Sequence, residues 1–204
     1  MILSNPLILN CPGCGAPHTC INMLSGNTFG GIFWSDGFYL APMLPDIPRF
    51  TKCVKCGLIF NQHNCPKRES ESEETDQYPQ ISALEREDLI TALGQNEYKK
   101  NKDDEIYLRI RLWWALNQRP FHADETETLK VDSDYRENAN ALLNLLDDAM
   151  EQHLLIKAEL SRNLGGFKEC ITLLSKIKAP GSEDRISQIK AAALKGHNAV
   201  IRLR

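Results

Sequence analysis

The sequence predicts an α+β chain, a small N-terminal β module followed by an all-α half, and three observations carry that reading. Two knuckles, Cys11-Pro12-Gly13-Cys14-Gly15 and Cys53-Val54-Lys55-Cys56-Gly57, place four cysteines in closely similar surroundings. All cysteines but Cys170 lie before residue 66, in a stretch rich in Gly, Pro and aromatics that shows no helical period. Beyond residue 81 the apolar side chains recur instead at the spacing of one helix face. A chain of 204 residues can hold one good core or two small ones, and the shift in composition favours two. The expected division is 1–66 as the β module, 67–80 as a linker and 81–204 as the helical domain.

Taken in order, residues 1 to 10 are short and apolar and suit a lead-in strand. Thr19 to Leu24, Thr28 to Trp34 and Phe38 to Leu40 are strand candidates. Ser25-Gly26-Asn27 is expected to turn the first of these into the second, and Asp36-Gly37 to close the next hairpin. Pro42, Pro45 and Pro48 predict an extended strap, because proline fixes φ and removes a donor. Leu58-Ile59-Phe60 follows the second knuckle as a closing strand. The segment from Lys67 to Tyr78 has too little apolar surface to offset the entropy of ordering and is expected to be solvated.

Ser82-Ala83-Leu84-Glu85 has the form of a capping box and predicts a helix to about Gly94. Ile106, Ile110, Trp113 and Trp114 predict another over about 103–117, with Arg109 and Arg111 on its flank and Pro120 beyond its end. Tyr135, Ala139, Leu142, Leu143, Leu146 and Met150 mark a third. A pair over 151–164 and 167–177 breaks at Gly165-Gly166, and Ala179-Pro180-Gly181 precedes a final helix holding Ile186, Ile189 and Ala193.

The net charge of −3 conceals an asymmetry. Residues 1–68 carry five Lys or Arg against two Asp, whereas residues 69–80 carry five acids and no base. Neither imbalance is strong enough to announce a nucleic acid. The N-terminus lacks a basic flank, Asn5-Pro6 interrupts its apolar run, and no stretch approaches a membrane span, so a cytoplasmic protein without membrane contact is expected.

Seven cysteines cannot all pair, and in a reducing compartment C-x-x-C reads as metal ligand or redox centre. No βαβ pattern surrounds either knuckle, which argues against the redox alternative. Cys11, Cys14, Cys53 and Cys56 are therefore expected to bind one structural Zn2+, four protein ligands leaving no position open for water. Lys52 and Lys55 are placed to offset the thiolate charge. A second candidate site combines His18 and Cys20 with His63 and Cys65, provided their strands are neighbours. Phe29, Phe33, Trp34, Phe38 and Arg49 form a candidate recognition surface, with core packing as the competing role for the rings. No phosphate loop, nucleophile elbow or H-E-x-x-H occurs, and Asp36, Asp46, His122 and His153 are too scattered to form a catalytic set.

The stretch from Ala158 to Ile177 resembles one tetratricopeptide-type helix pair, with Ala158, Gly165, Phe167 and Cys170 at the family's small, turn, aromatic and small positions. That resemblance implies a helical array with a groove for a protein partner, and Cys170 packed between helices. Leu24-Ser-Gly-Asn-Thr-Phe-Gly30, Trp34-Ser-Asp-Gly37 and Ala41-Pro-Met-Leu-Pro45, bracketed by the knuckles, together with Arg111-Leu-Trp-Trp114, resemble a group of uncharacterised bacterial zinc-ribbon proteins. The resemblance implies a bacterial cytosolic zinc-ribbon protein and no particular activity. The function expected is a non-enzymatic zinc-binding adaptor with a protein partner, and the alternative a nucleic-acid-binding ribbon with a regulatory helical domain.

Overall fold

The computed structural model describes residues 1–71, 77–95, 97–117, 119, 128–178 and 180–204; Pro120, His122, Ala179 and the centre of the acidic segment lie outside them. Among the described residues nine short strands precede six helices, the α+β order the sequence predicts. The strands are β1 (Ile2–Leu3), β2 (Leu7–Asn10), β3 (Pro17–Cys20), β4 (Met23–Ser25), β5 (Ile32–Phe33), β6 (Tyr39–Leu40), β7 (Phe50–Lys52), β8 (Ile59–Asn61) and β9 (Lys67–Glu69). The helices are α1 (Arg86–Gly94), α2 (Lys102–Leu116), α3 (Ser133–Leu145), α4 (Glu151–Asn163), α5 (Phe167–Leu174) and α6 (Glu183–Leu194). The chain divides into two compact units, Met1–Gly31 with Leu40–Ala92, and Ile32–Tyr39 with Leu93–Arg204. Neither unit is continuous in sequence, and residues 32–39 of the aromatic insert belong with the helices.

In the first unit β2 is the centre of a three-stranded antiparallel sheet ordered β3-β2-β9. Leu9 faces His18 on one side and Lys67 on the other. Lys67–Glu69, at the head of the segment expected to be solvated, is thus a strand. Its side chains are exposed, but its backbone supplies partners to the open edge of β2, a role that asks nothing of side-chain polarity. Ser70 continues the pairing, its N–H donating to Pro6 O at 2.9 Å. Further on, Ile81 N–H donates to Thr19 O at 2.8 Å, and Ser82 N–H to Thr51 Oγ1 at 3.3 Å. Residues 81 and 82 therefore belong to the sheet region, and α1 starts at Arg86, beyond the predicted capping serine. Ser25-Gly26-Asn27 does not close a hairpin either, since β4 pairs with β1. Leu9, Cys11, Cys20, Cys53, Phe60 and Ile81 form the core of this unit.

The second unit is built from α2 to α6. Asn101 and Asp132 cap α2 and α3, their side-chain oxygens accepting from otherwise orphaned amides of the first turns. One apolar cluster gathers Ile106, Trp113, Tyr135, Leu142, Leu146 and Leu160; another gathers Leu154, Cys170, Leu173, Ile189 and Ala193. Cys170 is fully buried between helices, and burial pushes its thiol up to about 11. Helix α5 stops at Leu174, short of the predicted Ile177.

The Ile32–Tyr39 hairpin is an integral part of this core. Trp34 N–H donates to Phe38 O at 2.9 Å, and Gly37 N–H to Trp34 O at 3.0 Å. Gly37 takes φ +85°, a conformation glycine adopts without a Cβ clash, so the predicted Asp36-Gly37 turn is present with Ser35 as part of its loop. The C-terminal segment runs alongside, Ser35 N–H donating to Ile201 O at 2.9 Å and Leu203 N–H to Phe33 O at 2.8 Å. A buried polar network receives the loop. Ser35 Oγ donates to Glu159, which is paired with Arg162, both carried by α4 and neither accessible to solvent. Asp36 accepts from Asn117 Nδ2 at 2.9 Å and from Arg119 Nη2 at 2.7 Å, while Trp114 Nε1 donates to its backbone carbonyl at 3.0 Å. Tyr135 OH, Trp113 Nε1 and Asn163 Oδ1 extend the network among α2, α3 and α4.

Candidate metal centre

Each knuckle is a tight turn between two strands, β2 and β3 for the first and β7 and β8 for the second. Their hydrogen bonds repeat. Gly15 N–H donates to Cys11 O at 2.9 Å and Gly57 N–H to Cys53 O at 2.8 Å; Cys11 N–H donates to Ala16 O at 2.8 Å and Cys53 N–H to Leu58 O at 2.9 Å. Gly15 and Gly57 have φ of +71° and +75°, the left-handed conformation a β-carbon resists. That is why glycine follows each second cysteine. The turn that results points both thiols of a knuckle to the same side.

The two turns face each other, and the four Sγ atoms of Cys11, Cys14, Cys53 and Cys56 lie within 4.8 Å of one another. Cys11 and Cys56 are 3.7 Å apart, as are Cys14 and Cys53. A tetrahedral zinc with Zn–S near 2.3 Å has sulfur–sulfur edges of about 3.8 Å, so these crossed pairs match two opposite edges of such a site. Cys11 and Cys53 are buried, whereas Cys56 lies at the solvent side. Burial opposes ionisation of Cys53, but hydrogen bonds from the Cys56 and Lys55 backbone and from the His18 side chain outweigh it and hold the thiol down to about 6. For Cys56 a backbone bond from Leu58 favours the thiolate, yet the neighbouring Cys14, Cys53 and Cys11 push it up to about 12. Cys53 and Cys56 are thus pushed in opposite directions, as expected of neighbouring thiols that share negative charge in one small volume, a strain that a divalent cation relieves. The residues present fit a closed four-sulfur zinc site, which would leave no coordination position for substrate.

Lys52, placed by sequence beside the thiolates, has its ammonium 2.7 Å from Asp88. The second candidate set is not assembled. Among the described residues the four-cysteine cluster is the group of three or more ligating side chains close enough to share an ion. Cys20 Sγ donates to Gln62 Oε1 at 3.8 Å, Cys65 Sγ to Asn61 O at 3.8 Å, and His63 is exposed. His18 is buried, its ring centroid 6.1 Å from that of Phe60.

The candidate recognition residues are divided between the units. Trp34 is 1% exposed, and Phe38 is half-buried and packs edge-on to Trp114 at 5.5 Å. Phe33 stacks on Tyr39, and Arg49 is half-buried. Phe29 remains 86% exposed. His153 Nδ1 accepts the Asp147 amide at 2.9 Å and so secures the approach to α4. The Glu159 and Arg162 pair was not singled out by sequence; opposite charges three residues apart on a helix usually signal a solvated face, whereas here residues 158–163 are all buried.

The chain matches no protein-family model, no curated protein and no solved structure. Among the described residues no helix is long and apolar enough to cross a membrane.

Proposed function

We propose that this chain is a non-enzymatic, zinc-binding adaptor: the metal fastens the knuckle unit, and the protein as a whole serves to engage a protein partner. The observation that carries the reading is the cluster of four thiols at tetrahedral spacing, all supplied by the chain, which suits a structural ion and not a catalytic one. The likeness of α4 and α5 to a tetratricopeptide-type pair supports the interaction role. Phe29 and Leu24, 86% and 66% exposed on the knuckle unit, supply apolar surface of the kind partners cover. The buried Trp34, and Phe38 half-buried against Trp114, weigh against nucleic-acid stacking by the insert.

The test is capture of a partner from extract by the tagged whole chain in mild salt, with Phe29→Ser/Leu24→Ser as control. The expected result is a protein retained by the wild type, lost with the double substitution, and zinc content equal in both. Absence of a partner together with turnover of a substrate by the purified protein would overturn the adaptor reading.

A further inference from the structure

Arg185 is a half-buried cation without a counter-ion of its own. It stands in the first turn of α6, and its Nη2 donates to the Ser35 carbonyl at 3.0 Å. That is its one hydrogen bond among the described residues, and no carboxylate there pairs with it. Its Nε is shut off from solvent and meets no acceptor. A guanidinium cannot shed its proton to escape burial, and taking it out of water is costly unless an anion or other acceptor replaces the water. Burial works against the charge of Arg185, and the negative charges of Glu159 and Asp36 offset this only in part.

Both of those carboxylates already have partners. Glu159 is taken up by Arg162 and by Ser35 Oγ, and Asp36 by Asn117 Nδ2 and Arg119 Nη2. Around the 35–38 turn three guanidiniums thus stand against two carboxylates, each carboxylate held by a different arginine. Arg119 adds a positive charge at the same turn, 4.1 Å over the Phe38 ring and with its Nε likewise buried and unmet. The turn also leaves room. A β-carbon built on Gly37 would come within 3.4 Å of Arg185 Nη2, so glycine leaves beside that nitrogen the space a side chain would fill. Nε and Nη2 form the side-on fork of a guanidinium, which matches two oxygens of a carboxylate or phosphate. Ser35 O serves one prong of this fork, and the other has no acceptor.

We propose that Arg185 and the Asp36-Gly37 turn form a binding site for an oxyanion, a phosphate or carboxylate group seated against the Nε–Nη2 edge of Arg185 in the space left by Gly37, where it supplies the missing counter-charge. Asp36 and Glu159, each neutralised by its own arginine, do not bar an anion from this seat. The site lies wholly within the helical unit and is independent of the zinc reading.

The experiment follows thermal unfolding of the whole chain by tryptophan fluorescence, since Trp34, Trp113 and Trp114, the three tryptophans of the sequence, all lie in the helical unit. Inorganic phosphate and acetate are titrated separately in place of chloride at constant ionic strength, because a ligand that binds the native state raises the unfolding midpoint. Wild type is expected to show a saturable rise, phosphate alone marking a tetrahedral oxyanion and acetate a carboxylate. Arg185→Gln, whose amide can still donate to Ser35 O but carries no charge, is expected to lose that rise. Arg185→Lys, charged but without the fork, is expected to saturate only at higher concentration. No saturable rise in the wild type, or only the unsaturated salt effect that Arg185→Gln shows equally, would overturn the proposal. So would a saturable rise that Arg185→Gln retains. Should Arg185→Gln not fold, Arg185→Lys decides: saturation at the wild-type concentration overturns the site, and saturation at a higher one supports it.

Discussion

The knuckle pair of the first unit and the Ile32–Tyr39 hairpin of the second are both short, irregular and dependent on a glycine turn, yet opposite chemistry holds them in place. The knuckles converge on a point where four sulfurs meet, so a single ion can fasten two hairpins whose strands are three or four residues long. The hairpin is fastened at many points: Trp34 in the apolar core, Ser35 on the Glu159–Arg162 pair, Asp36 on Asn117 and Arg119, and the backbone along residues 201–203. A metal clamp fails all at once and can be removed reversibly. A buried polar network fails wherever one member is deleted, because its partner is then left without water or bond.

The largest effect should come from the clamp. Cys53→Ser, or chelation of the wild type, is expected to remove a contribution of about 10 kcal/mol or more, the scale of structural zinc sites. Hydrogen exchange would then show amides of β2, β3, β7 and β8 losing protection while those of α3 to α5 keep theirs. Equal loss in both units would break the contrast. Acid has the same sign, since protons compete with the metal for thiolates and stability of this unit falls as pH falls.

Next is Glu159→Ala, which strands the inaccessible Arg162 guanidinium and is expected to cost about 3–5 kcal/mol of helical-unit stability, read from denaturant unfolding. A loss below about 1 kcal/mol would mean that the pair is more hydrated than its burial implies. Trp34→Ala belongs to the same range, about 3–5 kcal/mol for a large ring removed from a core.

A smaller effect is expected at Asp36. Burial, opposed by Arg119 and Asn117, holds its carboxyl above the ordinary range, so the native state keeps this proton to higher pH than the unfolded chain does. Stability from this group is therefore present at low pH and declines as pH rises through the raised value, opposite in sign to the clamp. Asp36→Asn should flatten that slope in the helical unit and leave metal retention unchanged. The smallest effect is at Lys52→Ala: its ion pair with Asp88 is partly exposed and worth at most about 1 kcal/mol.

The same contrast explains what the sequence disclosed. Knuckle geometry is local, so C-x-x-C-Gly announces both the ligands and the turn. The Asp36-Gly37 turn is local too and was legible, but its destination was not: Ser35 meets Glu159 across 124 positions, and no periodicity records such a contact. Lys67–Glu69 looked like linker because its side chains are charged, whereas its place is set by backbone pairing with β2. Ser82 looked like a helix cap because its residue type and spacing are right, but its amide is engaged by Thr51. His18 suggests a ligand by residue type, whereas the strand pairing buries it beside Phe60 and does not gather it with Cys20, His63 and Cys65 around an ion.

X-ray absorption at the zinc edge, on whole chain purified without added metal, tests the central claim most directly. One zinc per chain surrounded by four sulfurs at about 2.3 Å is the expected result. A shell with fewer than four sulfurs, or protein isolated without zinc, would contradict it.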